Sequence, residues 1–158
     1  MARKDVSYPE SGLDNVQLLN VPVWVCSNGH DEVVIPAINE LHDLLAHMII
    51  GKPAAIVGAE IKFLRRRVGL TAKEFAARIG LTPVRLSYLE NSKVGLQKRA
   101  DLLIRLAFAA LIAARDGKPF PSDLGHLVDQ LDQAWNLGVH RLRHSENASP
   151  AHEWQEAA

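Results

Sequence analysis

The chain has 158 residues, 47% of them apolar and 23% charged, the balance of a globular protein with one domain or two small ones. No apolar run approaches the ~20 residues of a membrane helix, so no membrane association is expected, and "MARKDVSYPESG" lacks the apolar core of a secretory signal. A single cysteine excludes an internal disulfide framework and suits a cytoplasmic location.

The formal net charge of zero conceals an asymmetry. Residues 1–57 hold three Lys/Arg against seven Asp/Glu, a net −4. Residues 58–115 hold twelve against four, a net +8, and residues 116–158 hold three against seven, again −4. A basic middle between acidic flanks is either a solvated helical surface or the electrostatic footprint of an anionic partner.

Taken in order, residues 1–12 read as a loosely held arm. From Asn15 to Pro36 the chain is rich in β-branched residues, with "NVQLLN", "VPVWVC" and "EVVIP" as short strands. Pro22 predicts an edge position, because it cannot donate to a ladder. Asn28-Gly29 is a turn signal between the second and third strands. After Pro36 the period changes. Ile38, Leu41, Leu45, Met48 and Ile49 form the stripe of an amphipathic helix, which Gly51 and Pro53 end. "KPAAIVG" reads as a linker, placing a boundary near residue 57.

Four helices are expected next. The first runs from about Ala59 to Val68, with Ile61, Leu64 and Val68 inward. The second and third lie within "TAKEFAARIGLTPVRLSYLEN", residues 71–91. Thr71 and Glu74 have the spacing of a capping box, and Leu70 and Phe75 that of a hydrophobic staple. Thr82 caps the next helix, Pro83 takes its first position, and Leu81 is placed to staple to Leu86. Gly80 permits the positive φ of the tight turn between them, and Ala76 lets the helices approach closely. The fourth helix starts near Lys98 and covers "RADLLIRLAFAALIAAR", apolar nearly all round in its later part. A final helix is expected over Ser122–Leu137, with Leu124, Leu127, Val128, Leu131 and Trp135 on one face. Beyond His144 the tail reads as mobile.

The small residue, glycine and apolar positions of residues 71–91, with "SYLENSK" as the exit, resemble the phage-repressor type of helix-turn-helix, the Xre or Cro family. The resemblance implies a helix, Pro83 to Glu90, in the major groove of operator DNA, with Pro83, Val84, Arg85, Ser87 and Tyr88 facing outward. Thr71, Lys73, Thr82 and Lys93 then fall near phosphates, with the backbone amides that open each helix. One position departs from the family: the glutamine usual at the start of its second helix is Ala72 here. The Arg65-Arg66-Arg67 cluster reads either as compensation for it or as a solvated helix face.

Residues 8–42, with Gly12-Leu13, Ile35-Pro36 and Leu41-His42, running into "GAEIKFLRRRVGLTAKEFAARIG", are similar to the MqsA-like antitoxins with a YgiT-type zinc-finger region. That resemblance implies a protein toxin bound by the N-terminal part. Its metal ligands do not carry over. A structural zinc needs four thiolate or imidazole ligands, and only Cys26 and His30 fall near the right places. Cys26 then reads as a small buried hydrophobe and His30 as a loop residue. His140 and His144 are four apart, a geometry that on a helix can bind metal, but they read as part of a solvated basic turn. No nucleophile motif, phosphate-cradling glycine loop or informative carboxylate pair is present, so neither catalysis nor a cofactor is expected.

These readings combine into a mainly α chain with a small α+β N-terminal region. The expected segments are 1–57, zinc-finger-like without the ligands; 58–115, the helix-turn-helix bundle; and 116–158, a C-terminal helix and tail. The expected function is a DNA-binding transcriptional repressor, acting as a homodimer and serving as the antitoxin of a two-gene operon. The alternative is an interaction scaffold that keeps the fold without binding DNA. The fourth helix, around Leu103, Leu106, Ala107, Ala110 and Leu111, and the final helix each read equally as a dimer seam or as core within one subunit.

Overall fold

The computed structural model describes residues 2–25, 31–119, 140–144 and 154–157. The chain is mainly α, with five helices among the described residues and a small sheet, and it divides into two compact units. One comprises Met1–Leu45 with Gly138–Ala158, the other Ala46–Leu137.

The first unit is organised by β2, Val16–Val25, which pairs antiparallel with β1, Ala2–Ser7, and with β3, Asp31–Val33. It also pairs in parallel with β4, His140–His144, whose outer side takes β5, Trp154–Glu156, antiparallel. Three expectations are corrected here. Residues 1–12 are not a loose arm: they supply β1 and a 3-10 turn over Pro9–Ser11, with Tyr8 and Leu13 buried beside it. Residues 140–144 are a half-buried strand rather than a solvated basic turn. Their burial alternates strictly, with His140, Leu142 and His144 inward, the period of two that strands impose. Part of the expected mobile tail is β5, whose Trp154 is buried with its Nε1 donating to the Pro36 carbonyl at 3.0 Å.

Two expected strands are one. "NVQLLN" and "VPVWV" join through Asn20, which adopts φ 60 and inserts an extra residue where the β1–β2 register shifts between Lys4 and Val6. Val16 and Leu18 before it, and Val21 and Val23 after it, therefore all reach the core. The irregular residue is anchored by its own polar groups. Its N–H donates to Asp5 Oδ1 at 2.9 Å, and its side-chain amide donates to the His144 carbonyl at 3.1 Å. Pro22, expected on an edge, lies in this central strand. It sits one residue past the β2–β3 rungs, where its carbonyl accepts from Val34 N–H at 3.1 Å and the ladder no longer requires a donor from it.

Helix α1, Ile38–Gly51, buries Leu41, Leu45 and Ile49 of the expected stripe, while Met48 is half-buried and Ile38 is exposed. Its first turns belong to the first unit, where His42 Nε2 meets the buried Tyr8 hydroxyl at 2.9 Å. Cys26, His30 and the expected helix over Ser122–Leu137 lie outside the described residues.

The second unit contains α2, Gly58–Arg67; α3, Ala72–Arg78; α4, Pro83–Glu90; and α5, Lys98–Asp116. Ile61, Leu64, Phe75, Ala76, Leu86, Phe108 and Ile112 form its core, with the Phe75 and Phe108 rings stacked at 4.5 Å. Residues 52–57, expected as a plain linker, are held by buried charge. Arg105, 1% exposed, donates to the carbonyls of Ile50, Lys52 and Ala54, each at 2.7 Å, and to Asp101 Oδ2 at 2.6 Å. Asp101 in turn accepts from Ile56 N–H at 2.6 Å. Lys52 pairs with the buried Glu60 at 2.6 Å, and Glu60 also accepts from Val57 N–H. A guanidinium from α5 thus satisfies the Ile50 carbonyl in the last turn of α1 and two carbonyls of the segment that follows it.

Candidate nucleic-acid interface

The two helices expected from residues 71–91 form with the expected punctuation. Thr71 Oγ1 accepts from Glu74 N–H at 3.2 Å while Glu74 Oε2 accepts from Thr71 N–H at 2.7 Å, a complete capping box. Thr82 Oγ1 accepts from Arg85 N–H at 3.2 Å, with Pro83 at the first helical position. Gly80 turns the chain at φ 71, and the buried Ala76 carbonyl accepts from Leu81 N–H at 2.8 Å. These bonds set where each helix starts, and so which side chains α4 presents.

The angle between the helices is held by groups whose partners lie far along the chain. Arg65 Nε donates to Glu90 Oε1 at 2.6 Å and Nη2 donates to Oε2 at 3.0 Å, a two-pronged pair tying α2 to the end of α4. A further bond reaches the Leu70 carbonyl at 3.0 Å. The hydrogen bond to Glu90 holds the Arg65 guanidinium's pKa above its ordinary value. Arg65 is therefore committed to the fold and does not take the positioning role of the glutamine that Ala72 replaces. Of the arginine cluster, Arg66 is exposed and Arg67 half-buried. Gly58, at the start of α2, packs against the final carbonyls of α4 and donates its N–H to the Ser92 carbonyl at 3.2 Å. No periodicity signals the Arg65–Glu90 pair. Its one sequence trace is an acidic residue on the inward side of a basic helix pair.

All nine expected interface residues are exposed: Thr71, Lys73, Thr82, Pro83, Val84, Arg85, Ser87, Tyr88 and Lys93. Val84 is 80% and Tyr88 66% exposed, high values for apolar or aromatic side chains on a fold this small. The Arg85 guanidinium carbon stands 5.5 Å from the Tyr88 ring centroid, within cation–π range. Ser87 faces the helix exit, where Asn91 Nδ2 donates to its carbonyl at 2.8 Å.

The two helix starts differ electrostatically. At α3 the Glu74 carboxylate occupies the Thr71 amide, and this hydrogen bonding, chiefly with the Thr71 side chain, holds its pKa below the usual carboxylate range. The expected contact between that amide and a phosphate is therefore replaced by an internal one, with the exposed Lys73 ammonium two residues on. At α4 the first turn carries no acidic residue. Its positive dipole end is not neutralised from within the helix.

Among the described residues no group of three or more His, Cys, Asp or Glu is placed to hold a metal ion, and no helix is long and apolar enough to cross a membrane. Residues 56–116 match the family model described as a helix-turn-helix domain, a span running from just before α2 to the end of α5. Comparison with curated proteins and with solved structures gave no significant match. Residues 56–116 are thus similar to a helix-turn-helix domain, with α3 and α4 as the two helices that Gly80 joins.

Proposed function

We propose that the chain is a sequence-specific transcriptional repressor that binds operator DNA as a homodimer, with α4 as the helix that enters the major groove. The observation that carries this reading is the outward set on α4. Val84, Arg85 and Tyr88 are exposed on a helix whose start is capped and free of acidic side chains. It lies within a segment of net charge +8. Thr71, Lys73, Thr82 and Lys93 then serve phosphates, and Pro83, Val84, Arg85, Ser87 and Tyr88 face the bases.

A second copy is supported by α5. Leu103 and Leu106 are 53% and 54% exposed, and Ala110 continues their stripe, while Ile104, Phe108 and Ile112 face the core. Two-fold operators with half-sites about one helical turn apart suit such a pair. An additional antitoxin role is supported by the net −4 of residues 1–57, which is complementary to a basic protein toxin.

Selection of bound duplexes from random DNA, followed by affinity at two salt concentrations, tests the reading. A palindromic consensus with affinity falling steeply as salt rises is the expected result. Recovery of no consensus would leave the scaffold reading in its place. Co-purification of a basic protein encoded beside this chain, lost on charge reversal in residues 1–57, is the result expected of an antitoxin.

A further inference from the structure

Resting on that reading of α4, we propose that the helix distinguishes bases by a C5 methyl group. Its target is a guanine preceded by a 5-methylated pyrimidine, so that thymine and 5-methylcytosine are equivalent to it while cytosine is disfavoured.

Three neighbouring side chains of α4 carry this preference. Val84 and Tyr88 are four residues apart, and Arg85 and Tyr88 three apart, so all three share one face of the first turns of α4. The Tyr88 ring backs the Arg85 guanidinium at 5.5 Å, which narrows the directions that a long flexible cation samples. A guanidinium held in this way meets the O6 and N7 acceptors of guanine with two parallel donors, an arrangement no other base edge offers in the major groove. Val84 is one residue earlier, with 80% of its surface in water. Val84 and Arg85 are consecutive, about 1.5 Å apart along the α4 axis with side chains about 100° apart, so the two together span no more than neighbouring base pairs, which are about 3.4 Å apart.

An isopropyl group has no hydrogen-bonding capacity. The complement it finds in the major groove is the C5 methyl of a pyrimidine, whichever ring carries it. The exocyclic groups of thymine and cytosine differ, but Val84 cannot read that difference. No acidic side chain is present in the first turn to accept from a cytosine amino group. Methylation of a cytosine–guanine step thus converts a disfavoured site into a preferred one.

The test uses the full chain and the best duplex from selection, with the pyrimidine before the guanine varied among thymine, uracil, cytosine and 5-methylcytosine. Uracil removes the methyl alone. Burying one methyl-sized group is worth a factor of about four in affinity. The expected result is a loss of about fourfold from thymine to uracil and a matching recovery from cytosine to 5-methylcytosine. Val84→Ala is expected to abolish the methyl effect while keeping the preference for guanine. Tyr88→Ala is expected to weaken the preference for guanine while keeping the methyl effect. A duplex bound with its guanine preference intact but equal affinity for thymine and uracil overturns this inference and leaves α4 as the recognition helix. Failure to recover any specific duplex overturns both.

Discussion

Replacing Arg105 by methionine tests whether one buried cation sets the geometry of the second unit. The substitution keeps most of the side-chain volume and removes the charge. It strips the Ile50, Lys52 and Ala54 carbonyls of their 2.7 Å donors and leaves Asp101, 0% exposed, with only the Ile56 amide. Breaking a buried pair from one side costs about 3–5 kcal/mol, because the remaining charge keeps its desolvation penalty. Carbonyls that lose a partner add to this unless water reaches them. Against a typical total of about 5–15 kcal/mol, Arg105→Met is expected to remove a third or more of the stability. Urea denaturation followed by far-ultraviolet circular dichroism measures it, since most helices lie in this unit. The companion variant Asp101→Asn/Arg105→Met removes the stranded carboxylate charge and keeps an acceptor for Ile56, so it should be more stable than Arg105→Met alone. A loss below about 1 kcal/mol for the single variant, or strict additivity in the double, would refute the reasoning.

At Gly58 an added Cβ would stand 2.6 Å from the Glu90 and Ser92 carbonyl oxygens and collide with that of Leu89. Gly58→Ala is therefore expected to cost about 1–3 kcal/mol, read as a lowered urea midpoint, since backbone atoms cannot step aside as side chains do. Glu74 has its pKa lowered by Thr71, so its contribution to stability is present above the ordinary carboxylate range and is lost as pH falls through the depressed value. Stability measured across that acid window should fall less steeply in Glu74→Gln than in the parent chain. Charging the exposed stripe of α5 with Leu103→Glu and Leu106→Glu is expected to shift sedimentation from dimer to monomer without unfolding. An unchanged sedimentation coefficient for a dimeric parent would move the seam elsewhere.

Local chemistry made the helix-turn-helix legible, because its signals act over three or four residues. Thr71 with Glu74, Thr82 with Pro83, and Gly80 with Ala76 determine where helices start, stop and touch, and each is readable in a short window. Arg105 was not legible, since its acceptors are backbone carbonyls about fifty residues earlier, with no side-chain identity to betray them. The same holds for Arg65, which composition places among surface cations and Glu90 recruits to the interior. In the sheet, β1 owes its formation to a partner strand rather than to its own weakly patterned residues. The segment "HRLRH" did carry a signal, the alternation of His140, Leu142 and His144 with two arginines, but a histidine pair four apart imitates a helical face.

The parallel pairing of β2 with β4 has a consequence for how the protein is made. Val16 meets His140 across the ladder, so everything in the second unit emerges from the ribosome between the two halves of one sheet. At about 5–20 residues per second, β2 waits on the order of ten seconds for this neighbour, with the peptide groups of Val16 to Leu19 unpaired on that side. A nascent chain interrupted before residue 140 would hold the whole helix-turn-helix segment yet carry an open strand edge, the kind of surface that templates aggregation. Translation speed through the second unit is thus a variable in the yield of the first.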